Sequence, residues 1–451
     1  MSASSRHRGA RCHRVRAALR LASSVSVLVV VAAWVVGCGD PQPPVAVGDI
    51  PELTVYVDST ESVDIDGYFS DPDGDVLTYA AIVSDDGVAT ASVSESVVAV
   101  SGVSAGTDTV RVWATDPDGL SAMQVFAVTV RLTDRQVLEI LYDELGGDNW
   151  NVNTNWKTDK PLDEWYGVGT NVAGRVVTLR LSRKSLTGEI PSELGDLSNL
   201  RDLLLHDNSL TGEIPSELGD LSRLEDLSLG DNSLTGEIPP ELGDLSNLED
   251  LHLYANSLTG EIPSELGDLS RLKILQLHDN SLTGEIPSEL GDLSNLAALY
   301  LHDNLLTGEI PTELSDLSNL EGLGLGNNRL TGEIPTELSD LSNLEGLGLG
   351  NNRLTGEIPT ELSDLSNLEG LGLGNNRLTG EIPSELGDLS NLRDLLLHNN
   401  SLTGEIPPDF LNLSALWWFY WNDNDGLCAP NTPEFDEWLD GLIVWIGARC
   451  D

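Results

Sequence analysis

The hexapeptide Leu186-Thr187-Gly188-Glu189-Ile190-Pro191 occurs ten times at a spacing of 24 residues, with further copies that begin at Leu210, Leu234, Leu258, Leu282, Leu306, Leu330, Leu354, Leu378 and Leu402. A fixed period in this range predicts a solenoid, in which each repeat forms one coil of a stack. Leu203 and Leu205 alternate around an outward-facing residue, which predicts one short strand in every coil. Asn208 recurs among the leucines because a buried amide can satisfy the backbone of the turn that leaves the strand.

The repeat resembles the leucine-rich repeat, and its Gly-x-Ile-Pro segment resembles the plant-type variant, which is familiar from extracellular receptor domains and also occurs in bacterial surface proteins. The resemblance implies an α/β solenoid, a horseshoe with a parallel β-sheet and helical caps. It places an N-terminal cap at 133–175, the repeats at 176–424 and a C-terminal cap at 425–451. The N-terminal caps of this family usually carry cysteines. This one has none, so we expect it to depend on tryptophan packing.

The N-terminus has the layout of an export signal. Six arginines within the first 20 positions precede an apolar run that ends Gly37-Cys38. This junction resembles a bacterial lipoprotein box, which implies a signal peptide at 1–37, lipidation of Cys38 and a proline-rich tether at 38–51. An uncleaved membrane anchor and simple secretion are the alternatives.

Acidic residues outnumber basic ones by 73 to 24, which argues against a nucleic-acid partner. The chain has four cysteines: Cys12 would leave with the signal and Cys38 would take lipid. In an exported chain we expect the remaining pair, Cys428 and Cys450, to form a disulfide, with two free thiols as the alternative.

Residues 52–132 show short alternating apolar runs separated by turn residues, which predicts an all-β antiparallel sandwich. The segment resembles cadherin-like and immunoglobulin-like modules, especially in its two Asp-Pro-Asp-Gly motifs. Each motif suits a type I turn. Calcium is the alternative at the first motif, because Asp71, Asp73 and Asp75 supply hard oxygen ligands, with Asp64 and Asp66 nearby. No other cofactor is predicted.

The concave face of the sheet is the usual binding face of the family, and the residues beside the strand leucines point onto it. There the repeats gather a group of aromatic, imidazole and amide side chains, predicted to bind a protein or glycan: His252, Tyr254, Gln276, His278, Tyr300 and His302. One alternative is that these exposed positions vary without functional constraint and that any polar residue would serve there. Zinc bound by His278 and His302 is another, although no third ligand is evident nearby. Gly324, Gly348 and Gly372 either admit a bulky part of the ligand or are duplicated filler, since the units 306–329, 330–353 and 354–377 are identical.

No nucleophile motif, phosphate loop or paired-histidine metal motif is present, so the chain is not expected to be an enzyme. The sequence predicts a recognition protein exported and anchored through lipid at the bacterial cell surface or in the periplasm. Two further readings stay open: a structural or adhesive element whose lattice is itself the function, and a glycan-processing enzyme.

Overall fold

The computed structural model describes residues 40–450 and divides into two compact units, one ending at Thr133 and the other beginning at Asp134. The predicted signal peptide and its lipid site Cys38 lie outside the described residues.

Within residues 40–133, the first unit contains nine strands arranged around one apolar core. A four-stranded sheet has the spatial order Leu53–Tyr56, Ser121–Arg131, Gly106–Thr115, Thr78–Val83; a three-stranded sheet has the order Thr60–Asp64, Val97–Gly102, Ala89–Ser94; and Val45–Ala46 pairs with Phe69–Ser70. A short 3-10 helix covers Asp66–Tyr68. Both larger sheets contribute to the core, which includes Val55, Val98, Val100, Val112 and Phe126.

One strand of this unit departs from the predicted antiparallel arrangement. Leu53–Tyr56 runs parallel to Ser121–Arg131, whereas the other pairs within the two larger sheets are antiparallel. The chain crosses to the other sheet directly after Leu53–Tyr56, so this strand does not form a hairpin with its neighbour in sequence. The sequence gives no local signal for the direction of such an edge pairing.

The second unit is a solenoid built on a 13-stranded sheet. All neighbouring strands are parallel except the first pair, and the strands follow the chain in order: Val168–Thr170, Val176–Arg180, Asp202–Leu204, Asp226–Ser228, Asp250–His252, Ile274–Gln276, Ala298–Tyr300, Gly322–Gly324, Gly346–Gly348, Gly370–Gly372, Asp394–Leu396, Trp418–Tyr420 and Val444–Ile446. Two-stranded pairs join Thr187–Glu189 to Ser209–Thr211 and Gly404–Glu405 to Leu427–Cys428.

The side of each coil opposite the sheet is a five-residue 3-10 helix that follows the proline of the repeated hexapeptide. Proline suits this position because its φ is fixed and it has no N–H to satisfy. Gly212 of the hexapeptide has a φ of 78°, where a side chain would be strained. The helices are Ser192–Asp196, Ser216–Asp220, Pro240–Asp244, Ser264–Asp268, Ser288–Asp292, Thr312–Asp316, Thr336–Asp340, Thr360–Asp364, Ser384–Asp388 and Pro408–Asn412.

An asparagine ladder holds successive coils together. Asn304 is 5% exposed, and its amide nitrogen donates to the carbonyls of Leu277 at 3.0 Å and Leu301 at 3.1 Å. Its side-chain oxygen accepts from the backbone N–H of Leu282 at 3.0 Å. One side chain therefore satisfies backbone groups in two coils, which explains why a polar residue recurs within the leucine core.

Tryptophan packing supports the N-terminal cap. Helix α1 (Asp134–Glu144) is followed by the short 3-10 helices Gly147–Asn149 and Leu162–Glu164. The rings of Trp150 and Trp156 lie 4.9 Å apart in an edge-on arrangement, and Trp165 lies 5.2 Å from Trp156. All three side chains are buried, so the cap covers the leucines of the first coil without a disulfide.

The C-terminal cap contains helix α2 (Pro433–Gly441) and a disulfide between Cys428 and Cys450. The sequence predicts an apolar helical stripe that continues to Trp445, but this prediction is wrong beyond Gly441. Residues Val444–Ile446 instead add a parallel strand to Trp418–Tyr420. Glycine followed by β-branched residues ends the helix, and the open edge of the sheet supplies hydrogen-bond partners for the extended chain.

Candidate functional site

The six residues predicted to form a ligand site lie together on the solvent face of the long sheet, which we call the concave face. The parallel register aligns His252 with Gln276 and Gln276 with Tyr300, so these side chains form one row across three strands. Tyr254, His278 and His302 follow two residues later and form a second row. We call the six residues the imidazole–tyrosine patch.

Ring contacts run continuously through the patch. Tyr254 stacks on His278 with ring centroids 5.0 Å apart and an interplanar angle of 4°. His278 stacks in turn on His302 at 4.4 Å, and Tyr300 contacts His302 at 6.2 Å. In the first row, Nδ1 of His252 and Oε1 of Gln276 are 2.9 Å apart. The repeat lattice therefore converts residues 24 positions apart in sequence into one ordered aromatic surface.

Burial shifts the ionisation of two patch residues. It lowers the pKa of His278, and the neighbouring imidazole of His302 lowers it further. Burial also raises the pKa of Tyr254. Both shifts favour the uncharged side chain, so at neutral pH these rings offer a ligand neutral aromatic faces and hydrogen-bonding edges.

A trough adjoins the patch where three successive coils carry glycine on the concave face. Its volume is about 650 Å³, and its lining includes Tyr300 and His302 of the patch and, beyond the glycine strands, Leu396. A Cβ atom added to Gly346 or Gly370 would meet no atom within 4 Å. The floor of the trough is therefore bare backbone, and Glu321 and Glu345 lie among its lining residues.

An aspartate row lies on the concave face toward the N-terminal side of the patch. The sheet register aligns Asp202, Asp226 and Asp250 on adjacent strands. Asp202 forms an ion pair with Arg180, whereas Oδ1 of Asp226 is buried and accepts no hydrogen bond from the residues described. Burial, with the like charges of Asp250 and Asp202, raises the pKa of Asp226 to about 6, although His252 acts in the opposite direction. The sequence alone did not single out this residue.

Two carboxylates that the sequence reasoning missed lie beside the patch histidines. Asp279 and Asp303 follow His278 and His302 directly, and Oδ2 of Asp303 is 2.9 Å from Nδ1 of His302. One ligand atom from each of Asp279, His302 and Asp303 can be chosen so that all three lie within 4.8 Å of one another. The His-Asp dipeptide repeated at a spacing of 24 residues was the available signal.

The aspartates of the first Asp-Pro-Asp-Gly motif make turn hydrogen bonds. The N–H of Gly74 donates to the carbonyl of Asp71 at 3.1 Å, and Oδ1 of Asp71 accepts from the N–H groups of Asp73 and Asp75 at 2.8 and 3.1 Å. Within residues 40–450, only Asp279, His302 and Asp303 bring three possible metal-ligand atoms within 4.8 Å of one another. The aspartates of this motif do not. Calcium at this motif stays a prediction.

Comparison with known proteins identifies the repeat. The family model described as Leucine Rich Repeat matches nine segments, at residues 199–221, 223–245, 247–269, 271–293, 295–317, 319–341, 343–365, 367–389 and 391–413. A solved plant ice-binding protein is 32% identical, with a TM-score of 0.56, over 66% of this chain and 95% of that one. This chain is a leucine-rich repeat protein. The predicted repeat family and its parallel-sheet solenoid are confirmed.

Receptors of plants are also similar to this leucine-rich repeat protein. The ectodomain of the Arabidopsis receptor kinase HAESA, solved with an extended IDA peptide hormone, is 32% identical with a TM-score of 0.61 over 70% of this chain and 53% of that one. A probable inactive leucine-rich repeat receptor-like protein kinase of Arabidopsis thaliana is 38% identical over 85 residues, which is 18% of this chain and 12% of the relative. The chain thus spans about half, or much less, of these receptor proteins.

From residue 40 to residue 450, no helix has the length and apolar character needed to cross a bilayer.

Proposed function

We propose that this leucine-rich repeat protein is an exported recognition protein whose concave face binds a peptide or protein segment. The observation that carries the proposal is the juxtaposition of the imidazole–tyrosine patch with the glycine-floored trough. The patch offers large, rigid aromatic faces that lose little entropy on binding. At Gly346 and Gly370 the trough leaves open space above the backbone, into which a ligand side chain can fit.

The dimensions of the trough suit an extended peptide. Its glycine strands and flanking walls span four strand spacings, or about 19 Å, which corresponds to about six extended residues. The carboxylates of Glu321 and Glu345 lie among the lining residues, so we expect a ligand with basic side chains at that edge. The peptide hormone bound to the similar HAESA ectodomain supports a peptide over a glycan.

Selection from a random peptide display library tests this proposal directly. We expect enriched peptides to combine a basic residue with an aromatic or apolar one, and to lose affinity for a variant in which Gly346 and Gly370 are both replaced by leucine. Leucine at these positions would fill the trough without touching the buried face of the sheet. Binding to glycans on an array, with no enrichment of peptides, would show that the ligand is not a peptide. Undiminished peptide binding to the leucine variant would show that the peptide does not bind in the trough.

Display at a bacterial cell surface or in the periplasm completes the proposal, with Cys38 as the lipid anchor and a cadherin-like or immunoglobulin-like spacer before the repeats. The Gly37-Cys38 junction supports the anchor, and the two sheets with a shared core support the spacer. Replacing Cys38 with alanine should release the protein from membranes or block its processing. Unchanged detergent partitioning and mass would contradict the lipid anchor.

A second candidate function uses the lattice itself as a structural or adhesive surface. The repeated hexapeptide places one exposed threonine on each coil, for example Thr235, Thr259 and Thr283. Each hydroxyl donates to a glycine carbonyl of the preceding coil, at 3.1 to 3.2 Å in these three cases, so the column is held in register. The similarity to a plant ice-binding protein favours a test on ice. Inhibition of ice recrystallisation that is lost when these threonines become lysine would support the lattice function.

A further inference from the structure

The structure places a repeated His-Asp dipeptide at one edge of the concave face. His278-Asp279 and His302-Asp303 occupy the same place in successive coils, one residue beyond the strands Ile274–Gln276 and Ala298–Tyr300. Asp279 and Asp303 both have a φ of 56°, the left-handed region in which the chain turns away from the sheet. Two imidazoles and two carboxylates are thereby collected from two adjacent coils.

The donor atoms of this cluster converge. The ligand atoms of Asp279, His302 and Asp303 lie within 4.8 Å of one another. Nε2 of His278 lies 4.0 Å from Oδ2 of Asp279, so a second imidazole adjoins the group. Nδ1 of His278 has no hydrogen-bond partner among the residues described, so no hydrogen bond at that atom holds the ring in place.

We propose that Asp279, His302 and Asp303 bind a divalent transition metal of the zinc class, with His278 as a fourth ligand. Zinc bonds to imidazole nitrogen and carboxylate oxygen at about 2.0 to 2.2 Å in tetrahedral geometry, which sets neighbouring donors about 3.5 Å apart. The ligand atoms of the cluster are within 4.8 Å of one another, and Asp279, His302 and Asp303 are 54%, 33% and 42% exposed, which leaves their side chains room to rotate toward an ion. Calcium and magnesium prefer all-oxygen sites, so the imidazoles select against them.

The charge of the surroundings favours a cation at this place. The chain carries a formal charge of −49, and the cluster adds two carboxylates that are 54% and 42% exposed. Without metal, Nδ1 of His302 and Oδ2 of Asp303 are within hydrogen-bond distance at 2.9 Å. With metal, both side chains would act as ligands, and the ion would join two coils at the edge of the patch, through its residues His278 and His302. This inference does not depend on the proposed peptide ligand.

The chain supplies its own comparison site. His206-Asp207 repeats the dipeptide, with Nε2 of His206 3.9 Å from Oδ2 of Asp207. The next coil, however, has Gly230-Asp231 and therefore lacks the second imidazole. The first site should consequently bind zinc much more weakly than the cluster at 278–303.

Isothermal titration of the apoprotein with zinc, and separately with calcium and magnesium, tests the inference. We expect one zinc site per chain that calcium and magnesium do not fill, and more than about tenfold weaker zinc binding in the double variant D279N/D303N. Asparagine already occupies the equivalent left-handed position at Asn327, so this variant should fold, with circular dichroism as the check. The matched control D207N should retain the affinity of the parent protein.

Two results would overturn the inference. One is a parent protein that binds zinc no more tightly than the D279N/D303N variant does. The other is an equal loss of affinity in the control D207N, which would indicate general attraction to an acidic surface. Zinc binding is measured without any peptide, so either result leaves the proposed peptide site to be judged by its own experiment.

Discussion

Replacing Asp226 with asparagine is expected to stabilise the solenoid at neutral pH. Oδ1 of Asp226 is buried without a hydrogen bond from the residues described, and Asp202 and Asp250 lie on either side of it in the sheet. These surroundings disfavour the charged form and raise the pKa of Asp226 from its ordinary 3.8 to about 6. Asparagine has nearly the same shape and carries no charge.

The size of the effect follows from that shift. A displacement of this size corresponds to about 3 kcal/mol between the two protonation states. Because the side chain is only half-buried, solvent screens part of the repulsion, and we expect about 1 kcal/mol. The raised pKa belongs to an acid, so the parent protein recovers most of the lost stability as pH falls from about 7 through 6 toward 4, because the folded-state carboxyl takes up its proton in that range. The advantage of the asparagine variant should disappear over the same range.

Urea unfolding of the parent and the D226N variant, measured at about pH 7.5 and about pH 4, checks this prediction. The matched control is D202N, because Asp202 forms an ion pair with Arg180 and should gain nothing from loss of its charge. A D226N variant no more stable than the parent at the higher pH would refute the reasoning. So would a gain of the same size at both pH values, since that gain could not come from ionisation.

Three further predictions concern the stability of the fold. Replacing Asn304 with alanine removes its four hydrogen bonds to the backbone and should lower the free energy of unfolding by about 3 kcal/mol in urea unfolding; an unchanged midpoint would contradict the asparagine ladder. Reducing the Cys428–Cys450 disulfide should cost roughly 3 kcal/mol, and hydrogen exchange should show faster exchange confined to the C-terminal cap rather than spread through the repeats. Sodium chloride should raise the melting temperature, because the column of glutamates that begins at Glu189 carries like charges one coil apart that repel by under roughly 1 kcal/mol per pair. Calcium chloride should raise the melting temperature more than sodium chloride of the same ionic strength only if the first Asp-Pro-Asp-Gly motif binds calcium.

The repeat architecture could be predicted because each structural requirement recurs in every coil. The leucine positions indicate the strand, and Asn208 and its equivalents indicate the turn that leaves the strand. The hexapeptide indicates the side of each coil opposite the sheet. The patch could be predicted for the same reason. Once the register of one repeat is known, residues such as His278 and His302 must lie on neighbouring strands.

Features that depend on a single position or on the third dimension were not predictable in this way. The helix of the C-terminal cap ends at Gly441 because the open sheet edge competes for the following residues, and no local pattern reveals that competition. The pKa of Asp226 depends on burial of one oxygen atom. Asp279 and Asp303 were overlooked because they lie one residue beyond the outward positions of the strand, where a left-handed turn carries them toward the imidazoles.

The most direct test of the proposed binding face compares the affinity of one library-selected peptide for three proteins. These are the parent chain, the triple variant Y254A/H278A/Y300A, and a control, E265Q/E289Q/E313Q, which alters exposed side chains on the opposite side of the coils. We expect the triple variant to bind more than about tenfold more weakly, because it loses the aromatic contacts of the patch, and the control to match the parent. Full affinity in the triple variant, with its fold intact by circular dichroism, would contradict the account and place the ligand elsewhere.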